Sequence, residues 1–219
     1  MKNVLRVSLI SAAFALAGIA LPANAAPAHQ QHATAKQQPR SAKAAQTSAA
    51  LRDLWIGHVF WVRNVALATL NRNDAASKAA EQQVVANAQA IAAAIEPFYG
   101  AAAKEQLFKL LAGHYGAVKS YLVATAADDK KGQQSATDAL TTNAEEIAVF
   151  LSKANPNLPK DAVNGLLLAH GGHHIQQIQE LKAGNYEAEA KTWEEMKQHM
   201  YQIADAMTDA LAKQFAKRF

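Results

Sequence analysis

The sequence predicts an all-α protein, a six-helix bundle made of three antiparallel helical hairpins. Three observations lead there. Leu51-Arg52-Asp53-Leu54-Trp55-Ile56-Gly57-His58 is matched 56 residues later by the stretch Leu107 to His114, and 56 later again by Val163 to His170. Asn87, Asn143 and His199 keep the same interval, each followed by an Ile-Ala pair at Ile91, Ile147 and Ile203. Ungapped self-similarity at one period is the mark of an internal repeat, here a triplication over 48–103, 104–159 and 160–215. Second, apolar residues recur at steps of three and four, as in Leu51, Leu54, His58, Trp61, Val65 and Ala68, which puts them on one helix face. Third, polar and glycine-containing turns fall between these runs, and no stretch alternates as a strand does.

Taken in order, residues 1–25 read as a secretory signal peptide. Lys2 and Arg6 are basic, Val7 to Leu21 is apolar, and Ala23-Asn24-Ala25 is a small-residue cleavage site. The mature chain is then exported, most simply to a periplasm, with no transmembrane segment. Residues 26–47, rich in Ala, Gln, Lys and His with Pro27 and Pro39, read as a disordered linker. The bundle occupies 48–219. Its first helix ends at Asn71-Arg72-Asn73-Asp74, where Asp74 is a candidate cap for the second. The second carries Val84, Asn87, Ala88, Ile91 and Ile95 on one face and stops near Glu96, ahead of Pro97. Tyr99-Gly100 turns the chain into a third helix to about Ala127. Asp128 to Gly132 turns it again into a fourth, to about Lys153. Asn155-Pro156-Asn157-Leu158-Pro159 precedes a fifth helix, Lys160 to Ala183, and Gly184-Asn185 turns into the sixth.

Composition narrows the chemistry. There is no cysteine, which excludes disulfides, thiolate metal ligands and thiol catalysis. The net charge of +4 is segregated: five basic residues and no acidic one precede residue 48, leaving 17 basic and 18 acidic after it. A near-neutral body with interspersed signs argues against nucleic acid as partner. Phosphate-loop, serine-elbow, His-Glu-x-x-His and Glu-x-x-His di-iron motifs are missing.

The polar residues inside the apolar stripes carry the functional reading. His58 and Asn87 are equidistant from the first turn, as are His114 and Asn143 from the second and His170 and His199 from the third. Each antiparallel hairpin therefore brings its pair to one height. If the hairpins close about a pseudo-threefold axis, His58, His114 and His170 converge; in an open stack they form a row. Closure suits the odd-numbered helices, which are apolar around much of their girth. Three neutral imidazoles suit Zn, Cu, Ni or Fe ions, and the Asn87 and Asn143 carbonyls can orient the rings. His170-Gly171-Gly172-His173-His174 adds histidines where the other copies have Trp61 and Val62, or Ala117 and Val118. His173, His174 and His199 are thus optional further ligands, and Met196, Met200 and Met207 form a row near them. The leading reading is transition-metal binding for buffering, delivery or sensing. Two alternatives stand beside it: a metal-free interaction or small-ligand module with a structural His/Asn layer, and a metal-dependent enzyme.

The motifs Leu54-Trp55…His58-Val59…Trp61…Arg63-Asn64, Pro97-Phe98-Tyr99-Gly100, Asn143-Ala144-Glu145-Glu146-Ile147-Ala148, Phe150-Leu151…Asn155-Pro156, Ala204-Asp205 and Gln214-Phe215 resemble a family of small exported bacterial all-helical proteins of unestablished function. The resemblance spans about 51–215. It implies histidines at His58, His114 and His170 and asparagines at Asn87 and Asn143, while the position of His199 holds Gln or Glu in the family. His173 and His174 depart from its pattern. Some members carry the names glycosyltransferase or acetylglutamate kinase, which no motif here supports.

Overall fold

The computed structural model describes residues 40–219; the expected signal peptide and residues 26–39 of the expected linker lie outside the described residues. The protein is all-α. Its helices are α1 (Ala42–Leu70), α2 (Asp74–Tyr99), α3 (Ala101–Ala126), α4 (Lys130–Ala154), α5 (Lys160–Ala183) and α6 (Tyr186–Gln214), followed by a 3-10 turn, Ala216–Arg218. No strand occurs among the described residues.

Helix α1 begins at Ala42, so residues 42–47 are helical where the sequence reads as linker. Two causes are visible, one local and one distant. The Ser41 side chain accepts from Ala44 N–H at 3.1 Å, capping the first turn. Arg40 is tied to α6 through Asp205 and Asp209. Helix α2 likewise runs three residues past Glu96, with Pro97 inside its last turn. A proline there removes only one hydrogen bond near the helix end, and Gly100 N–H still closes on Glu96 O at 2.8 Å.

The three hairpin turns share one construction at 56-residue intervals. Arg72, Asp128 and Gly184 take positive φ of 55°, 57° and 70°. The next residue's N–H reaches back to Ala68 O, Ala124 O and Glu180 O, the bond that ends a helix in a Schellman turn. That same residue, Asn73, Asp129 or Asn185, then caps the following helix by accepting from Ala76, Gly132 or Ala188 N–H. Asn73, rather than Asp74, is therefore the cap of α2.

Helices α1, α3 and α5 pack against one another. Outside them, α2 lies against α1 and α3, α4 against α3 and α5, and α6 against α5 and α1. The apolar stripes of the outer helices face this inner trio: Val84, Ile91 and Ile95 of α2, Leu140 and Ile147 of α4, and Met196, Met200, Ile203 and Met207 of α6 are all buried. Met196 and Met200 have no solvent exposure and pack with Leu51, Trp55 and Ile203, so the methionine row is core.

Polar clamps join α6 to its neighbours. Glu189 is buried and receives Arg63 Nε and Nη2 at 2.6 and 2.7 Å, a bidentate pair, and Gln177 Nε2 at 2.9 Å. Lower down, Asp205 accepts from Ser48, Arg40 and Arg52, and these partners hold its carboxyl down at about 2 against the opposing effect of burial. Substituting Arg63→Ala leaves the Glu189 carboxylate buried beside Gln177 alone. Because Arg63 is itself partly exposed, the expected loss is about 2–3 kcal/mol, at the low end for breaking such a pair. Urea denaturation of the variant checks this, with a lowered midpoint and unchanged slope as the expected result.

Candidate metal centre

The inner trio brings the histidines of the three aligned blocks together. His58 on α1, His114 on α3 and His170 on α5 have ring centroids 6.1, 5.6 and 5.3 Å apart in pairs. His174, one turn beyond His170, joins them at 4.4 Å from His170 and 5.7 Å from His58. Each of the four offers a ring nitrogen within 4.8 Å of every other. All four side chains are buried.

The environment of these rings is apolar. Burial pushes His58 down to about 3 and His114 to about 4, and drives His170 and His174 well below the ordinary imidazole range; neighbouring imidazoles add to the effect at His58, His170 and His174. At neutral pH the four are uncharged, the form in which imidazole ligates metals. Their hydrogen bonding is incomplete. His170 Nε2 and His174 Nε2 are 3.1 Å apart and share one hydrogen bond. Nε2 of His58, both nitrogens of His114, and Nδ1 of His170 and of His174 are buried without a partner. A buried polar atom left unpaired costs about 1–3 kcal/mol, so these nitrogens are in place to take a ligand.

The donor set fits a transition ion. Tetrahedral coordination at about 2.0–2.1 Å needs nitrogens about 3.3 Å apart. Spacings of 3.1 to 4.8 Å require each ring to move by roughly 1 Å or less, within the reach of small torsional adjustments. Four imidazoles with no carboxylate suit Zn, Cu, Ni or Fe rather than Ca or Mg.

Asn87 and Asn143 act differently from expectation. Their Nδ2 groups donate to Leu54 O and Leu110 O, both at 3.0 Å, and their Oδ1 atoms have no partner. Asn143 lies near enough to His114 to oppose in part the effect of burial on that ring, yet no hydrogen bond of sound geometry joins them. Leu54 and Leu110 each precede a histidine by one turn, so the amides fix the helix beneath the ring. This needs close approach: a Cβ at Gly57 would stand 3.0 Å from Asn87 Nδ2, and one at Gly113 3.1 Å from Asn143 Nδ2. In the third hairpin Ala169 replaces the glycine, and the longer His199 bonds Leu166 O through Nε2 at 2.8 Å. Gly57-His58 and Gly113-His114 were the sequence signal for this contact.

His199 and His173 stand beside the group of four. Their rings are 5.3 Å apart, and His199 stacks on His170 at 6.4 Å. His173 is half-buried, and burial lowers it, with the nearby Glu195 opposing. Gly171 admits Leu140 of α4, whose Cδ2 would be 2.8 Å from an added Cβ, whereas a Cβ at the exposed Gly172 would meet nothing within 4 Å; the helix runs through both without a break. Trp55 meets His58 edge-on at 6.1 Å, while Arg63 is engaged with Glu189.

Compared with known protein families, curated proteins and solved structures, the chain matches none. Among the described residues, no helix is long and apolar enough to cross a membrane.

The depressed imidazoles set a pH dependence for the metal-free protein. Below pH 6.5 the unfolded chain binds protons that the folded state refuses, so stability is complete above that pH and falls on acidification towards the folded-state values. His58 and His114 alone should each cost about 2 kcal/mol at pH 5, with His170 and His174 acting in the same direction. That is a large share of the roughly 5–15 kcal/mol of an ordinary domain. Urea midpoints should be level from pH 8 to 7 and drop steeply from pH 6 to 5. A flat profile over that range would contradict neutral, buried rings.

Proposed function

We propose that this chain is an exported protein that binds one transition-metal ion at its centre, for buffering, delivery or sensing. Three repeated hairpins close about a pseudo-threefold axis, and His58, His114, His170 and His174 are the ligands. The observation that carries the reading is the group of four buried, neutral imidazoles with unpartnered ring nitrogens. The threefold relation is supported by three equivalent hydrogen bonds, Asn87 to Leu54 O, Asn143 to Leu110 O and His199 to Leu166 O, each spanning 33 residues. Export is supported by the Lys2 to Ala25 leader pattern.

The third hairpin breaks the symmetry in one direction. His173, His174 and His199 all belong to it, and the row from half-buried His173 through His199 to His170 offers a path by which an ion reaches the centre. His173 and His199 are therefore assigned to uptake rather than to the final ligand set. A metal-dependent enzyme is less well supported, because no carboxylate belongs to the four-histidine group to act as acid or base. A metal-free layer that only fixes register is favoured by the His170–His174 hydrogen bond, which satisfies one nitrogen of each.

Melting temperatures with and without Zn²⁺, Cu²⁺ and Ni²⁺ separate these readings. Binding to the native state should stabilise the untagged wild type by about 2.7 kcal/mol at a hundredfold excess over the dissociation constant. His114→Ala should lose that gain, while its metal-free stability should change little, because the cavity it leaves is offset by the removal of two buried unpartnered nitrogens. His173→Ala should keep the equilibrium gain. If no ion raises the melting temperature of wild type, the four histidines are a polar layer and nothing more.

A further inference from the structure

Directly against three of the four ligand histidines lies a cavity of about 40 Å³. Its walls are aliphatic, with Leu107, Leu111, Ile147, Val163, Ile203 and Met207 prominent among them, and no charged side chain lines it. His58, His114 and His170 form its polar end; His174 is not among the lining residues. An ion held by all four would be tetrahedral and closed, and His174, which does not line the chamber, would be the ligand that a guest must replace. With His174 released, the position left open beside His58, His114 and His170 would adjoin an apolar space.

The size and chemistry of that space select its occupant. About 10–15 Å³ holds one water-sized molecule, so the chamber accommodates roughly three or four heavy atoms. A charged or strongly hydrated species would lose its solvation there without compensation. Water needs two to four polar partners, whereas the chamber is almost wholly apolar, with Trp55 Nε1 and the imidazole nitrogens not held by an ion as its few polar side-chain atoms. A smaller void adjoins the chamber and shares Leu151, Leu158 and Met207 with it. It continues towards Tyr99 and Asn155, whose side chains hydrogen-bond to each other at 3.0 Å near the end of the bundle. The apolar route thus runs on the side of the chamber away from the histidines, separate from the row of His173 and His199.

We propose that this chamber is a binding site for one uncharged diatomic molecule, of the class of carbon monoxide, dioxygen or nitric oxide, held against the metal in place of His174. The proposal rests on the four-histidine metal reading for its metal-bound form, while the chamber itself is present in the metal-free fold. Carbon monoxide on the cuprous protein is the cleanest probe, because its carbon would donate a lone pair to Cu(I) in place of His174, whose bond to the ion would break, and nothing is oxidised or reduced.

Two measurements test it, using the full mature chain. Xenon titration of the metal-free protein by ¹²⁹Xe NMR examines the chamber alone; the expected result is one saturable site in wild type. Ala206→Phe and Val163→Phe place an aromatic ring in the chamber without altering a metal ligand, and each folded variant should bind xenon at least about tenfold more weakly. The cuprous protein should then take up one carbon monoxide per copper, read as a single infrared stretching band. In either folded variant that uptake should weaken by about tenfold or more while copper stays bound. A wild type without a saturable xenon site overturns the chamber. Copper that binds but takes no carbon monoxide, or takes it equally well in a filled variant, overturns the placement against the metal. Failure of wild type to bind any metal would instead overturn the metal reading, with the xenon result still deciding whether the chamber takes a small apolar guest.

Discussion

The structure depends on keeping four neutral imidazoles inside an apolar core. Each ring is desolvated, and the fold supplies few partners for its nitrogens. Protein interiors rarely leave so many polar atoms unmet in one place. The simplest physical resolution is a Lewis acid that takes the lone pairs together, since one ion satisfies several donors that no single hydrogen-bonding side chain could reach. Burial then has a second consequence: it holds the rings deprotonated far below the pH at which free histidine protonates. The same desolvation that makes the layer costly without an ion prepares it for one.

The rest of the bundle can be understood as support for that layer. Asn87 and Asn143 do not touch up the rings through hydrogen bonds; they grip the backbone one turn beneath them, and glycines at 57 and 113 permit the approach. Above the layer, Glu189 joins α6 to α1 and α5 through Arg63 and Gln177. Below it, Asp205 gathers Ser48, Arg40 and Arg52. Both clamps act on α6, the helix that closes the ring of contacts back onto α1. Fixing α6 also fixes His199 against His170.

The differences between the third hairpin and the other two are concentrated where metal chemistry would need them. Three equivalent positions can present three equal ligands, but they cannot by themselves provide a fourth ligand or a distinct inlet. In the proposed reading the third hairpin supplies both differences, with His174 within the group and the His173–His199 pair beside it. On the opposite side the core stays aliphatic and imperfectly filled. An ion at the centre would therefore sit between a polar flank and an apolar one.

Much of the fold was legible in the sequence because its causes are local. Periodicity places α1 to α6, turn residues separate them, and equal spacing from each turn sets His58, His114 and His170 at one height. One boundary failed where a distant contact intervened, since Arg40, tied to α6, lets α1 start at Ala42; another failed because a proline in the last turn removes only one hydrogen bond, so α2 continues through Pro97. The site was legible only to the level of a layer. A helix pattern shows that a residue faces inward but leaves its rotation about the axis uncertain by the width of a side chain. That rotation decides whether His174 joins the group while His173, one residue away, remains beside it. It also decides that the asparagine amides reach backbone carbonyls rather than ring nitrogens. The chamber lies wholly beyond sequence, since a void is set by how six helices jointly fill space and by no residue alone.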